Sequence, residues 1–127
     1  MNNHTDTELF ELCRKVFAET SFDSKTEYWL HDGSGTVRAR DMNSEQYMTA
    51  TVPLYTSDYL MEKLPNQLHK DSRIHYLTLS AKYGDEFKAN YITPTGVLYF
   101  FMEPGENTSL KALLRLTLAL KENGVEL

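Results

Sequence analysis

Trp29, Arg38 and Arg40 are the residues whose types and spacing best suit recognition chemistry. An indole beside two guanidiniums can stack on a base, a nucleotide ring or a partner's side chain. The same residues would also serve as a cross-strand cation–π contact and a Glu27–Arg40 pair that only fasten a hairpin. A second candidate is the corner Tyr55-Thr56-Ser57-Asp58. A helix N-terminus offers free amides and partial positive charge to an anion. Against that, a capping Ser57 or Asp58 uses those amides, and Asp58 adds negative charge. His31-Asp32 would make an acid/base pair if a cleft closed over it, and a solvated turn otherwise.

Other reactive types carry less. His4, His31, His69 and His75 show no metal-ligand spacing, and no carboxylate pair completes a site. No cofactor is implied. Ser34 lies between Gly33 and Gly35, but a nucleophile elbow needs G-x-S-x-G between a strand and a helix, and a strand follows here. Cys13 falls on an apolar helix stripe with nothing basic beside it, so it reads as core. The tyrosines Tyr76, Tyr83, Tyr91 and Tyr99 lie on neighbouring strands that lack the Lys and Arg of a base-stacking platform, so they read as sheet packing.

The composition narrows the function classes. The chain has 127 residues, 41% hydrophobic and 24% charged, enough for one domain with one core. A net charge of −5 argues against non-specific nucleic-acid or membrane binding, which needs surplus Lys and Arg. One cysteine excludes an internal disulfide and a Cys-rich zinc site. No apolar run is long enough to span a bilayer, and the first residues lack a signal-peptide pattern, so the expected address is the cytoplasm.

The elements that must position these residues follow from periodicity and caps. Thr5-Asp6-Thr7-Glu8 spells a capping box, and Leu9, Leu12, Cys13, Val16 and Phe17 repeat at helical spacing, so a helix is expected over 6–19. Glu11 and Lys15 are spaced for a weak ion pair. Segments 25–31 and 36–40 read as a hairpin closed by Asp32-Gly33-Ser34-Gly35. The expected register places Trp29 opposite Arg38 and Glu27 opposite Arg40. Tyr28, Leu30, Val37 and Ala39 then form the core face, with Trp29 outward. A strand over 46–52 and a short helix over 59–64 follow, then a polar connection over 65–73. Strands over 74–81, 86–92 and 97–102 come next, turning at Tyr83-Gly84-Asp85 and Pro94-Thr95-Gly96. His75 alternates with Leu77 and Leu79, as a half-buried strand residue would.

The last helix, 108–122, organises the rest. Asn107 or Thr108 caps it and Asn123-Gly124 stops it. Lys111, Arg115 and Glu122 share one narrow wedge of its wheel, and Leu and Ala fill roughly 260° of arc, against the ~100° a surface helix needs. It should be covered by a sheet and by something more, either another helix or a second copy of the chain. The stretch Val97 to Met102 is expected to be its bed. The fold class is therefore α+β: an antiparallel sheet with helices packed on it.

Tyr28-Trp29, the corner Pro53-Leu54-Tyr55-Thr56-Ser57-Asp58-Tyr59 and the helix start Leu110-Lys111-Ala112-Leu113-Leu114-Arg115-Leu116 occur in an order that resembles the phage ABA-sandwich family and related lambdoid nin-region proteins. The chain departs from that pattern in the order of the corner hydroxyls and in the early position of Pro104. The resemblance implies an α-β-α sandwich and a phage or prophage origin, and supplies no site residue. The expected function is then a non-enzymatic binding protein acting on a host protein, in host regulation or anti-defence, inside the host bacterium. The alternatives are a binder of a nucleotide-like small molecule near Trp29, Arg38 and Arg40, and a small hydrolase using His31 and Asp32. A homodimer through the last helix is also expected.

Overall fold

The computed structural model describes residues 7–30, 33–49, 52–82, 86–100 and 106–127, apart from the side chains of 47–49 and 82. The α+β class holds: the described residues form four α-helices and two three-stranded antiparallel sheets. The chain divides into two compact units, Met1–Thr56 and Ser57–Leu127. Thr5 and Asp6 of the expected capping box, the turn 83–85, and 101–105 lie outside the described residues, as do His4, His31 and Asp32.

In the first unit, helix α1 (Thr7–Thr20) buries Leu12, Cys13 and Val16, the stripe its periodicity requires. Ser21 ends it with φ 61, its amide donating to Phe17 O at 2.8 Å. Glu11 pairs with Arg14 rather than Lys15, and this neighbour holds the Glu11 carboxyl below its ordinary range. Strand β1 (Glu27–Trp29) lies between β2 (Thr36–Arg38) and β3 (Val52–Pro53). The pairing is Glu27 with Arg38, Tyr28 with Val37 and Trp29 with Thr36. Every pair differs by two residues from the expected register, because the hairpin closes earlier, Leu30 N–H donating to Gly35 O at 2.8 Å. A two-residue difference leaves each side chain on its own face.

The expected direction of those faces is wrong. Trp29 is 1% exposed, with the edge of Phe10 against it at a ring-centroid distance of 5.4 Å. The α1 stripe needs an apolar cover, and the indole offers the largest apolar surface on either face of the hairpin. Tyr28 is only half buried, and its hydroxyl donates to Asp23 at 2.8 Å.

The expected strand over 46–52 is also corrected. Residues Ser44–Thr49 form helix α2, and only Val52 and Pro53 remain as strand. Gln46 N–H donates to Asn43 Oδ1 at 2.9 Å and Asn43 N–H to Gln46 Oε1 at 3.0 Å. This reciprocal capping box starts the helix and outweighs the alternation of Met48 and Val52.

In the second unit, α3 (Ser57–Lys63) leads to β4 (Gln67–Lys70), β5 (Arg73–Lys82), β6 (Glu86–Ile92) and α4 (Ser109–Glu122). The sheet order is β4-β5-β6. Strand β4 replaces the expected polar connection. It is an edge strand, mostly exposed, so it carries no continuous apolar signal. Thr108 caps α4, its hydroxyl accepting from Lys111 N–H at 3.2 Å. Gly124, at φ 78, stops it, and Val125 N–H returns to Leu120 O at 3.0 Å.

Leu113, Leu114, Leu116 and Leu120 of α4 are fully buried, and the helix packs on β5, β6 and α3. A sheet and a second helix thus meet the wide apolar arc. Lys111 departs from the expected polar wedge, being 4% exposed. Arg115 is paired with Glu106 at 2.7 Å.

The expected bed of α4, Val97 to Met102, fails at its first two residues, while Phe100 is buried at 8% exposure. Val97 and Leu98 are 39% and 48% exposed, and Leu98 joins the sheet only through a single bridge to Ile92. Phe101 and Met102 lie outside the described residues. The turn at 94–96 sends the chain back beside the end of β6, where one bridge cannot extend a strand.

Candidate functional site

The β4–β5 connection is the shortest that antiparallel strands allow. Lys70 pairs with Arg73, which leaves Asp71 and Ser72 as a two-residue loop. Both are left-handed, at φ 54 and 64. A two-residue hairpin loop with positive φ at both positions has the twist of the adjoining strands and favours Asn-Gly. Asp tolerates this backbone better than most residues, and Ser less well. Like charges directly opposite across a ladder are also unfavourable. Residue choice at this turn therefore departs from stability at two points, Ser72 and the Lys70–Arg73 pair.

A groove opens beside the turn. It holds about 280 Å³ and is lined by Lys70, Asp71, Arg73, His75, Val97 and Leu98. The Lys70 ammonium lies 4.8 Å from the centroid of the Tyr99 ring and donates to Tyr99 O at 3.4 Å. Among the described residues, no carboxylate pairs with Lys70 or Arg73. His75 is 2% exposed, with its ring edge-on to Tyr99 at 5.3 Å. Its Nδ1 is buried and has no hydrogen-bond partner among the described residues. A buried polar atom left so is uncommon, and a polar guest reaching this wall would relieve it.

Asn90 holds the chain just after the lining residues Val97 and Leu98. Its Nδ2 donates to Phe100 O at 2.8 Å, and its Oδ1 accepts from Phe100 N–H at 3.3 Å and from Tyr91 N–H at 2.7 Å. The side chain continues the sheet where the ladder itself stops. Tyr91 is fully buried, donates to Pro65 O at 2.7 Å, and has its phenol pushed well above the ordinary range by burial.

The expected recognition residues do not assemble. Trp29 is in the core of the first unit. Its indole Nε1 is buried with no hydrogen-bond partner among the described residues. Arg38 is exposed and paired with Asp41 at 3.2 Å. Arg40 is exposed in a 3-10 turn, Ala39–Asp41. The corner is dispersed as well. Tyr55 is 1% exposed and donates to Phe22 O at 2.7 Å. The Ser57 hydroxyl bonds the Ser109 hydroxyl at 2.8 Å, and Asp58 is exposed. The His31-Asp32 pair lies outside the described residues.

Sequence reasoning singled out only His75 of the groove. Lys70-Asp71-Ser72-Arg73, between Leu68 and Ile74, was the available signal, since Asp with a small polar neighbour can form a two-residue turn. Among the described residues, no three His, Cys, Asp or Glu side chains converge as metal ligands, and no helix is long and apolar enough to cross a membrane. No protein-family model matches the chain, and no curated protein or solved structure is significantly similar to it.

Proposed function

We propose that this chain is a non-enzymatic binding protein and that the groove beside the β4–β5 turn takes an anionic group. The observation that carries this reading is the grouping of Lys70, Arg73 and His75 around one opening, with His75 Nδ1 unpartnered among the described residues. An anion accepts from the guanidinium in the paired geometry that Arg favours and draws on the ammonium as a point charge. A bound anion would offset the cost of opposing Lys70 and Arg73.

Thermal unfolding with a panel of small anions, sulfate and isovalerate among them, tests the proposal. A guest that binds only the folded chain raises Tm with its concentration. The rise is expected for the native chain and absent in the Lys70→Ala/Arg73→Ala variant. A flat response across the panel, or an equal rise in the variant, would overturn it.

A second reading places the anion on a partner protein, as the expected host-protein role requires. The exposed apolar side chains Val97 and Leu98 of the groove favour it. Crosslinking from position 98 in a host lysate, competed away by the small anion that raises Tm, would support it. Crosslinks indifferent to the anion would count against it.

A further inference from the structure

We infer that Asp71 sets the charge selectivity of this groove: it admits a monoanionic carboxylate on an aliphatic arm and turns away dianions such as sulfate or a phosphate monoester. The inference rests on the anion-binding reading and narrows its ligand. Two cations and one carboxylate line the opening, so its fixed charges, His75 aside, leave one net positive charge. Attraction to that surplus grows with the guest's charge, while the cost of taking the guest out of water grows with its square, so a second negative charge costs more than it gains. Asp71, at φ 54, lies between the two cations in sequence and lines the opening with them.

The other lining residues give the guest its second feature. Val97 and Leu98 are aliphatic and are left 39% and 48% exposed. The aromatic ring among the lining residues is His75, which is 2% exposed and edge-on to Tyr99, so it offers no open face. A nucleobase therefore finds nothing to stack on, whereas a short branched chain would cover both exposed aliphatic residues. The planar Arg73 fork suits the two oxygens of a carboxylate. Such a group could belong to a free branched acid or to the C-terminus of a peptide ending in Leu, and isovalerate and N-acetyl-leucine separate these sources.

Asp71→Asn is the informative change, since Asn is among the residues a left-handed turn position prefers and the hairpin should survive it. The Coulomb energy between Asp71 and a guest scales with the guest's charge. Removing the carboxylate therefore helps a dianion by the square of the factor by which it helps a monoanion. A gain of about three-fold for isovalerate should accompany about nine-fold for sulfate.

Amide NMR titrations of the full chain and of Asp71→Asn at low salt would measure both. Isovalerate should shift the resonances of 70–75 and 97–99 saturably in the native chain, more tightly than sulfate does, while neutral isovaleramide should not. Leu98→Ser should weaken isovalerate and leave sulfate unchanged. N-acetyl-leucine tighter than isovalerate would assign the peptide source, and the reverse order the free acid. Sulfate binding the native chain at least as tightly as isovalerate, or equal gains for both in Asp71→Asn, would overturn the selectivity while leaving the anion site standing. No saturable shift with either anion would remove both.

Discussion

Asn90 and Phe100 are joined in both directions, the side-chain amide of one to the backbone N–H and C=O of the other, at 3.3 and 2.8 Å. Asn90 is 7% exposed, so its two bonds replace water that cannot reach it. The side chain carries the pairing of β6 beyond its single bridge at Leu98 and so fixes the apolar wall of the groove. Asn90→Ala leaves buried backbone groups unpaired and should cost about 1–3 kcal/mol. Urea denaturation measures the loss. Hydrogen exchange should show protection falling first at 97–100, and uniform loss across the chain would contradict this positioning role.

Trp29 and the two arginines should behave oppositely. Trp29→Ala removes the largest fully buried side chain and should cost about 3–5 kcal/mol. Arg38→Ala and Arg40→Ala change exposed side chains and should stay within about 0.5 kcal/mol of the native chain. Denaturant midpoints of the three variants give the comparison. A stable Trp29→Ala variant would restore the outward indole.

How legible these residues were depended on how local their determinants are. Helices α1 and α4 could be read because caps and a 3.6-residue stripe lie within a few turns of one another. Strands β5 and β6 showed because both alternate over several residues. The direction of Trp29 was not legible. Both faces of its hairpin hold a large aromatic, and only the position of α1 decides which is covered. Residues 44–49 misled because Met48, Ala50 and Val52 alternate as a strand would, whereas the Asn43–Gln46 cap starts a helix there. The groove stayed hidden because its walls, the β4–β5 turn and residues 97–98, are over twenty positions apart in the chain, and the apolar run from Val97 reads as a buried strand rather than an exposed wall.

Leu116 is fully buried on α4, the helix that packs on β5, β6 and α3. Leu116→Ala opens a cavity in that packing and should cost about 2–5 kcal/mol. Leu118→Ala, at a half-buried position of the same helix, should cost less. Equal losses at both positions, measured by chemical denaturation, would mean the helix is not seated by one face.

Alkaline pH should weaken the fold through two buried acids. Burial raises the Cys13 thiol above its ordinary 9.0 and the Tyr91 phenol above its ordinary 10.0. In both, the neutral form is the one the folded chain holds. The stabilisation is therefore complete below the unfolded values and is lost as pH rises through them toward the folded ones, because the unfolded chain releases its protons first. The urea midpoint should hold to about pH 8.5 and then fall, and Cys13→Ala should flatten the fall nearest pH 9. A midpoint unchanged to pH 10.5 would contradict the burial of both groups.

Gly33 tests the closure of the first hairpin at two levels. Its φ of 74 favours glycine, and a Cβ there would lie 2.7 Å from Phe10 Cδ2 and 2.9 Å from Cγ. Phe10 is half buried and rests on Trp29, so its ring cannot turn away without uncovering the indole. Gly33→Ala thus adds overpacking, ~1–3 kcal/mol, to the cost of a left-handed non-glycine residue, ~1–2 kcal/mol. Pairing it with Phe10→Leu separates the two. The smaller side chain should recover the steric part and leave the backbone part, so the double variant should be more stable than the two single losses added together. Strict additivity would show that Phe10 does not press on the turn.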